Sequence, residues 1–317
     1  MGQQEMSRGG SPPPTDPPKR RSLSRRVKAF MEPRLMAARE HFPLARMGPD
    51  FIIIGARKCG TTFFYNNLVR QPGFLAAYKK EVDFFDKRYT RGAGWYRAHF
   101  PTRLAQRAAH MLWRRPVLTG ESTPLYLFHP LAPRRVRALL PEVKLIALLR
   151  NPTDRAYSHY EHQARRRVGP PTFEAALETE RALEADGTLA AELERLKSDD
   201  AYISEKRQVL SYLSGGVYVD QLAAWFEQFP ANQILLLKAE DMYRDPVAAI
   251  RRATEFLGAK ATAARIVREN RKRGYPKMDP VTRRWLDDFF APHNARLVEF
   301  LRQHEPKDRP YGFTPWE

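Results

Sequence analysis

Residues 55–62 read Gly-Ala-Arg-Lys-Cys-Gly-Thr-Thr and directly follow the apolar run Phe51-Ile52-Ile53-Ile54. A buried strand, a glycine loop and a helix start, in that order, form an anion cradle. The loop N–H groups converge on the ligand, and the helix dipole favours negative charge. Gly55 and Gly60 keep the spacing of a Walker nucleotide loop, but Thr61 stands where that pattern needs Lys, and Lys58 lies inside the loop instead. None of the predicted strands ends in an aspartate placed to hold magnesium. The loop therefore suits a phosphate-like group and not a magnesium nucleoside triphosphate.

A second set of residues follows the strand predicted at 144–149. Arg150 falls at its carboxyl end, where open α/β sheets bind ligands, and its planar guanidinium can grip a phosphate bidentately. Ser158, about two turns into the next helix, can add a hydroxyl donor. Arg155, Ser158, His159 and His162 share one helix face by their spacing, with the two histidines read as ordinary polar surface. Arg271-Lys272-Arg273-Gly274 is a third concentration of cations, which taken alone reads as a solvated charge run.

These groups need a scaffold, and the hydrophobic pattern supplies one. Strands are predicted at 51–54, 117–119, 144–149 and 233–237, with helices at 61–71, 131–140, 152–165, 216–229 and 246–257. Asn151-Pro152, Asp245-Pro246 and Asp279-Pro280 each place a capping side chain before a proline at the first helical position. Strands alternating with helices predict a single doubly wound α/β domain with a central parallel sheet, beginning at Pro49. Residues 1–47 read as a disordered basic tail rich in Pro and Arg, with a short helix allowed near 27–39. Residues 166–214 interrupt the alternation with helix-favouring text. They read as a helical insertion, either solvated helices or a lid or acceptor wall. Tyr218 and Trp225 are expected to pack a helix on the sheet.

Hydrophobic residues make up 43% of the 317, enough for a substantial core, which excludes a wholly disordered or fibrous chain. Lys and Arg outnumber Asp and Glu by 54 to 36, and the resulting +18 points to a polyanionic ligand, although an arginine-rich genome would write the same balance. No apolar stretch is long enough to span a bilayer, and no secretory signal is apparent. With the single cysteine Cys59, these features predict a cytoplasmic protein. Peripheral membrane contact through the basic tail is allowed. No groove-reading nucleic-acid motif is present, and no clustered His/Cys/Asp set suggests a metal.

The glycine loop with its internal Lys, followed by Arg-x7-Ser after a later strand, resembles the sulfotransferases that use 3′-phosphoadenosine 5′-phosphosulfate (PAPS). The chain is most similar to their heparan-sulfate-type carbohydrate branch, the glucosaminyl 3-O- and N-sulfotransferases. The resemblance is carried by IIIGARKCGTT (52–62), KEVDFFDKRY with GWY (80–96), GESTPLY (120–126) and LLRNPTDRAYSHY (148–160), and more weakly by 217–230 and 271–280. It implies a P-loop-NTPase-like sulfotransferase domain over 48–317, a bacterial origin and metal-independent in-line sulfuryl transfer onto a hydroxyl, or less readily an amine. The acceptor implied is a carbohydrate, glycolipid or glycoside. Donor contacts would come from Arg57, Lys58, Cys59, Gly60, Thr61, Thr62, Arg150, Ser158, Arg271, Lys272, Arg273 and Gly274. Lys58 would stabilise the leaving phosphate, and Glu81, otherwise a carboxylate salt-bridged to Lys79 or Lys80, would be the general base. Asp83, Asp86, Ser122 and Tyr126 would border the acceptor.

The departures from the family pattern lie on the acceptor side. Asp83 stands where a His is usual, and Ser122 replaces a common Lys, which weakens the case for a densely sulfated acceptor. Tyr275 replaces a His, and Cys59 a small loop residue. A thiol beside Lys58 at a helix N-terminus is expected to have a depressed pKa and to be protected by bound nucleotide. Two rival readings are a degenerate phosphotransferase, which would need ATP with magnesium, and an inactive polyanion-binding protein, which would survive Glu81→Gln.

Overall fold

The computed structural model describes residues 35–42, 45–260, 265–267, 274, 276–307 and 309–316. Its centre is a five-stranded, wholly parallel sheet in the order β2-β3-β1-β4-β5. The strands are β1 (Phe51–Gly55), β2 (Phe74–Ala76), β3 (Leu118–Ser122), β4 (Lys144–Leu149) and β5 (Ile234–Lys238). β1 is buried throughout, and β4 and β5 are buried at all but one terminal position each. Such strands read as continuous apolar runs because helices cover both faces of a parallel sheet. β2 was not predicted: it has three residues, and a run that short carries no period. β3 runs to Ser122, beyond the predicted 119, because Gly120, Glu121 and Ser122 are buried in the sheet despite their composition.

The connection β1→β2 steps one way across the sheet, while β3→β4→β5 steps the other. Right-handed crossovers then put α1 (Thr61–Leu68) on one face and α2 (Ala132–Leu139) and α3 (Tyr218–Phe226) on the opposite face. α4 (Pro246–Phe256) packs beside α1, and α5 (Pro280–Gln303) beside α3. The reversal lies between β1 and β4, so their carboxyl-end loops diverge and leave a crevice. The caps form as expected: Asn151 accepts from the N–H groups of Thr153 and Asp154, Asp245 from Ala248, and Asp279 from Val281 and Thr282.

Packing reaches back beyond the predicted start at Pro49. Met36 and Met47 are buried, Arg39 donates to the carbonyls of Ala98 and Phe100, and Arg46 pairs with Thr102. The described part of 35–47 therefore belongs to the folded body, because its arginines satisfy carbonyls just past the end of the helix Gly92–Arg97. Residues 1–34 lie outside the described residues.

The insertion holds three helices, Phe173–Ala185, Thr188–Ser198 and Glu205–Val209. Its exit is fastened by the buried Glu180, whose carboxylate accepts from the N–H groups of Tyr212, Leu213 and Ser214 and from the Ser214 hydroxyl. Arg155, turned into the core, donates to the carbonyls of Ser211 and Tyr212. Trp225 and Tyr218 are fully buried, as predicted. No described helix is long and apolar enough to cross a membrane.

Candidate active site

A cleft of about 1080 Å³ opens at the carboxyl ends of β1 and β4. Arg57, Lys58, Gly60, Thr61 and Thr62 line it from the loop after β1, and Arg150 and Ser158 from the loop and helix after β4. Lys58 and Gly60 both take positive φ, 69° and 81°. A Cβ on Gly60 would lie 2.6 Å from the Tyr243 hydroxyl and 2.7 Å from Met242 Cε, so only glycine fits. The two predicted anion elements are joined directly, Arg150 Nη1 donating to the Lys58 carbonyl at 3.4 Å. Arg57 donates to the carbonyl of Gln208 on the insertion, and burial lowers its pKa to about 10, so it stays protonated at neutral pH.

The Arg150 loop rests on the buried Tyr218 and on the half-buried Glu240 and Trp316. The Tyr218 hydroxyl donates to the Arg150 carbonyl at 2.9 Å and lies 3.8 Å from Cys59 Sγ. Glu240 accepts from the Asn151 N–H at 2.8 Å through one oxygen and from Trp316 Nε1 at 3.2 Å through the other. Trp316 in turn packs against Tyr218. Neither Glu240 nor Trp316 was predicted, since nothing in their local sequence marks a partner at that distance along the chain.

Opposite stands Glu81, half-exposed in the cleft. The Lys80 ammonium lies 2.7 Å from its carboxylate and 3.0 Å from Thr62 Oγ1. One lysine head thus spans the candidate base and the first turn of α1. The segment carrying Glu81 is pinned to the end of β3: Ser122 N–H donates to Lys80 O, Val82 N–H to Glu121, and Asp83 N–H to Thr123 Oγ1. Glu121 is fully buried and also accepts from the hydroxyls of Thr123, Tyr126 and Tyr96. Burial raises its pKa to about 7 against these donors. The Lys80 pair is the salt bridge that the sequence allowed for Glu81, whereas Glu121 was passed over although it sits inside a motif segment already singled out; a carboxylate within a buried strand was the available signal.

Asp83 lines the cleft, and Lys79, Lys87 and Arg88 enclose its carboxylate at 3.8, 3.2 and 3.2 Å. Four predicted residues do not face the cleft. Cys59 is buried: its N–H donates to Ala56 O, its thiol faces Tyr218, and burial raises its pKa to about 11, reversing the expected depression. Tyr126 is buried against Glu121, and its oxygen accepts from the N–H of Phe84. Ser122 points into the sheet, its hydroxyl unpaired. Asp86 is buried beside a small cavity lined by His129 and Arg207, and burial raises its pKa to about 7.

His162 lines the cleft, whereas His159 is buried, its pKa lowered by that burial. Arg166, Glu205, Gln208 and Val209 make the insertion one wall of the cleft. Arg271, Lys272, Arg273 and Tyr275 lie outside the described residues. Gly274 is exposed, and its carbonyl accepts from Arg165. Among the described residues no group of three metal-ligating side chains occurs.

The sequence profile described as "Sulfotransferase domain" matches residues 48–284. Human heparan sulfate glucosamine 3-O-sulfotransferase 6 is 27% identical over 82% of this chain and 74% of its own length. Human bifunctional heparan sulfate N-deacetylase/N-sulfotransferase 2 is 28% identical over 80% of this chain, which spans only 29% of that larger protein. The crystal structure of a sulfotransferase from Alicyclobacillus acidocaldarius, 27% identical, superposes with a TM-score of 0.59 over 81% of this chain and 96% of its own.

Proposed function

The chain belongs to the sulfotransferase family and is a PAPS-dependent enzyme, and on that premise we propose that it transfers the sulfuryl group to a hydroxyl of a carbohydrate or glycosylated acceptor, with Glu81 as general base and Lys58 at the leaving phosphate. The single observation that carries the reading is the Lys80 bridge, which holds Glu81 within one ammonium of the phosphate loop.

The cleft fits the donor. Gly60 and the first residues of α1 line the cleft, and cations stand at both predicted phosphate positions. Lys58 and the first N–H groups of α1 would hold the 5′-phosphosulfate, and Arg150 with Ser158 the 3′-phosphate. Glu81 takes the acceptor hydroxyl proton as the acceptor oxygen bonds to sulfur and the bond from sulfur to the phosphate oxygen breaks. The electron pair of that bond remains on the phosphate, and adenosine 3′,5′-bisphosphate leaves. Lys58 meets the charge that develops there, a preorganised interaction stronger in the transition state than in the ground state. The names of the relatives support the carbohydrate class, and a carboxylate in the cleft suits a hydroxyl, whose proton must leave as sulfur arrives.

Thermal unfolding with adenosine 3′,5′-bisphosphate tests the donor site. A ligand at about 100 times its Kd adds roughly 2.7 kcal/mol, and the gain should vanish in Lys58→Ala and Arg150→Ala. Transfer from labelled PAPS to a panel of neutral and anionic glycosides tests the acceptor class. Stabilisation by ATP with magnesium in place of the bisphosphate would overturn the donor assignment.

A further inference from the structure

The helix Arg103–Trp113 lies outside the cleft and shows an apolar face that none of the described residues covers. Leu104, Met111 and Leu112 are 76%, 71% and 78% exposed, and Ala108 between them is exposed as well. At 3.6 residues per turn these four form one stripe. The helix is held to the body from its other side, through the buried Ala109 and a hydrogen bond from Gln106 to the Val117 carbonyl. Its start is capped by Thr102, which accepts from the N–H of Ala105, so the helix is well formed without a partner on the stripe.

The charges that the helix itself brings to the stripe are all of one sign. Arg103, Arg107 and Arg114 are exposed beside it, and no acidic residue occurs between 102 and 116. Long aliphatic side chains edged by guanidinium groups match an acyl layer beneath anionic phosphates. A second copy is disfavoured, since two such faces brought together would set arginine against arginine. The helix leads into the first residues of β3, so its carboxyl end lies at the amino ends of the strands, away from the cleft. Docking there leaves the cleft open.

We infer that this helix is a peripheral docking surface for an anionic lipid bilayer, with Leu104, Met111 and Leu112 entering the interface and Arg103, Arg107 and Arg114 contacting headgroup phosphates. The inference is independent of the acceptor assignment, and it rests on a different surface from the basic tail.

The test is flotation of the full chain with vesicles of phosphatidylglycerol mixed with phosphatidylcholine, against phosphatidylcholine alone. The wild type should float with the anionic vesicles, less so as salt rises. Leu104→Ser/Met111→Ser/Leu112→Ser should lower that affinity about tenfold or more, and Arg103→Gln or Arg107→Gln about fivefold each. All these positions are exposed, so melting temperature and donor binding should stay at wild-type values. Failure of the wild type to float, or equal flotation of the triple variant, would overturn the inference; the second result would assign the contact to the basic tail. Self-association of the wild type that the triple variant loses, without flotation, would make the occupant a second copy and likewise overturn it.

Discussion

On one side of the cleft, the loops after β1 and β4 are set by backbone and by frame residues: Gly60 at positive φ, Tyr218 on the Arg150 carbonyl, and Glu240 on Asn151. On the other, Glu81, Asp83 and the insertion present charged side chains in half-exposed ion pairs, positioned by a short segment pinned to the end of β3. The donor side is thus a fixed mould and the acceptor side an adjustable wall. A family that keeps one donor and changes acceptors needs that division. Donor affinity and turnover should accordingly respond to different residues.

The sharpest test is Glu81→Gln. Turnover should fall about 10²–10⁴-fold while the Kd for adenosine 3′,5′-bisphosphate, measured by calorimetry, stays unchanged; a matching loss of nucleotide affinity would break the division. Next comes Glu121→Gln, which leaves the Val82 N–H without its carboxylate acceptor and shifts the Glu81 segment. A displacement of about 1 Å can cost roughly 10²-fold in kcat, again with nucleotide affinity intact. Glu240→Gln probes the opposite side. Weakening the charged acceptor that Asn151 and Trp316 share should loosen the Arg150 loop and raise the nucleotide Kd about tenfold, a hydrogen bond to a charged group being worth about 1.5–3 kcal/mol. The expected change at saturating donor is small.

A smaller effect is pH-dependent stability. Burial raises the Glu121 and Asp86 carboxyls to about 7, so the unfolded chain gives up these protons at lower pH than the native state. Their stabilising contribution is present at low pH and is lost as pH rises from about 4.5 through 7. Melting temperature should therefore climb between pH 8 and pH 6, and Glu121→Gln should flatten that slope. Smallest of all, Cys59 should resist alkylation in the native state at equal rates with and without nucleotide, because burial, not ligand, covers it. Protection by nucleotide would return the thiol to the cleft.

That Arg57, Lys58, Gly60, Thr61, Thr62, Arg150 and Ser158 meet at one cleft was legible in the sequence, because an anion cradle is written in backbone terms. Two glycines at fixed spacing, an arginine at a strand end and a proline-capped helix each constrain geometry locally. The acceptor side was less so. Ser122 ends, and Tyr126 follows, a strand buried on both faces, where alternation gives no sign of which side chains reach the cleft. Cys59 was misplaced because the left-handed turn at Lys58 rotates the next side chain inward, a rotation no spacing rule records. Glu121 escaped because its donors, Tyr96, Tyr126 and Val82, meet only in the folded chain.

The clamp at the exit of the insertion has an evolutionary consequence. Arg155 ties Ser211 and Tyr212 to the body, and Glu180 ties residues 212–214 to the first helix of the insertion, both without help from Thr188–Ser198 or Glu205–Val209. The helices between can drift in length and surface, provided that a backbone carbonyl still meets Arg57 where Gln208 now does. On the function proposed above, such drift would reshape the wall that faces the acceptor and leave the chemistry behind it in place.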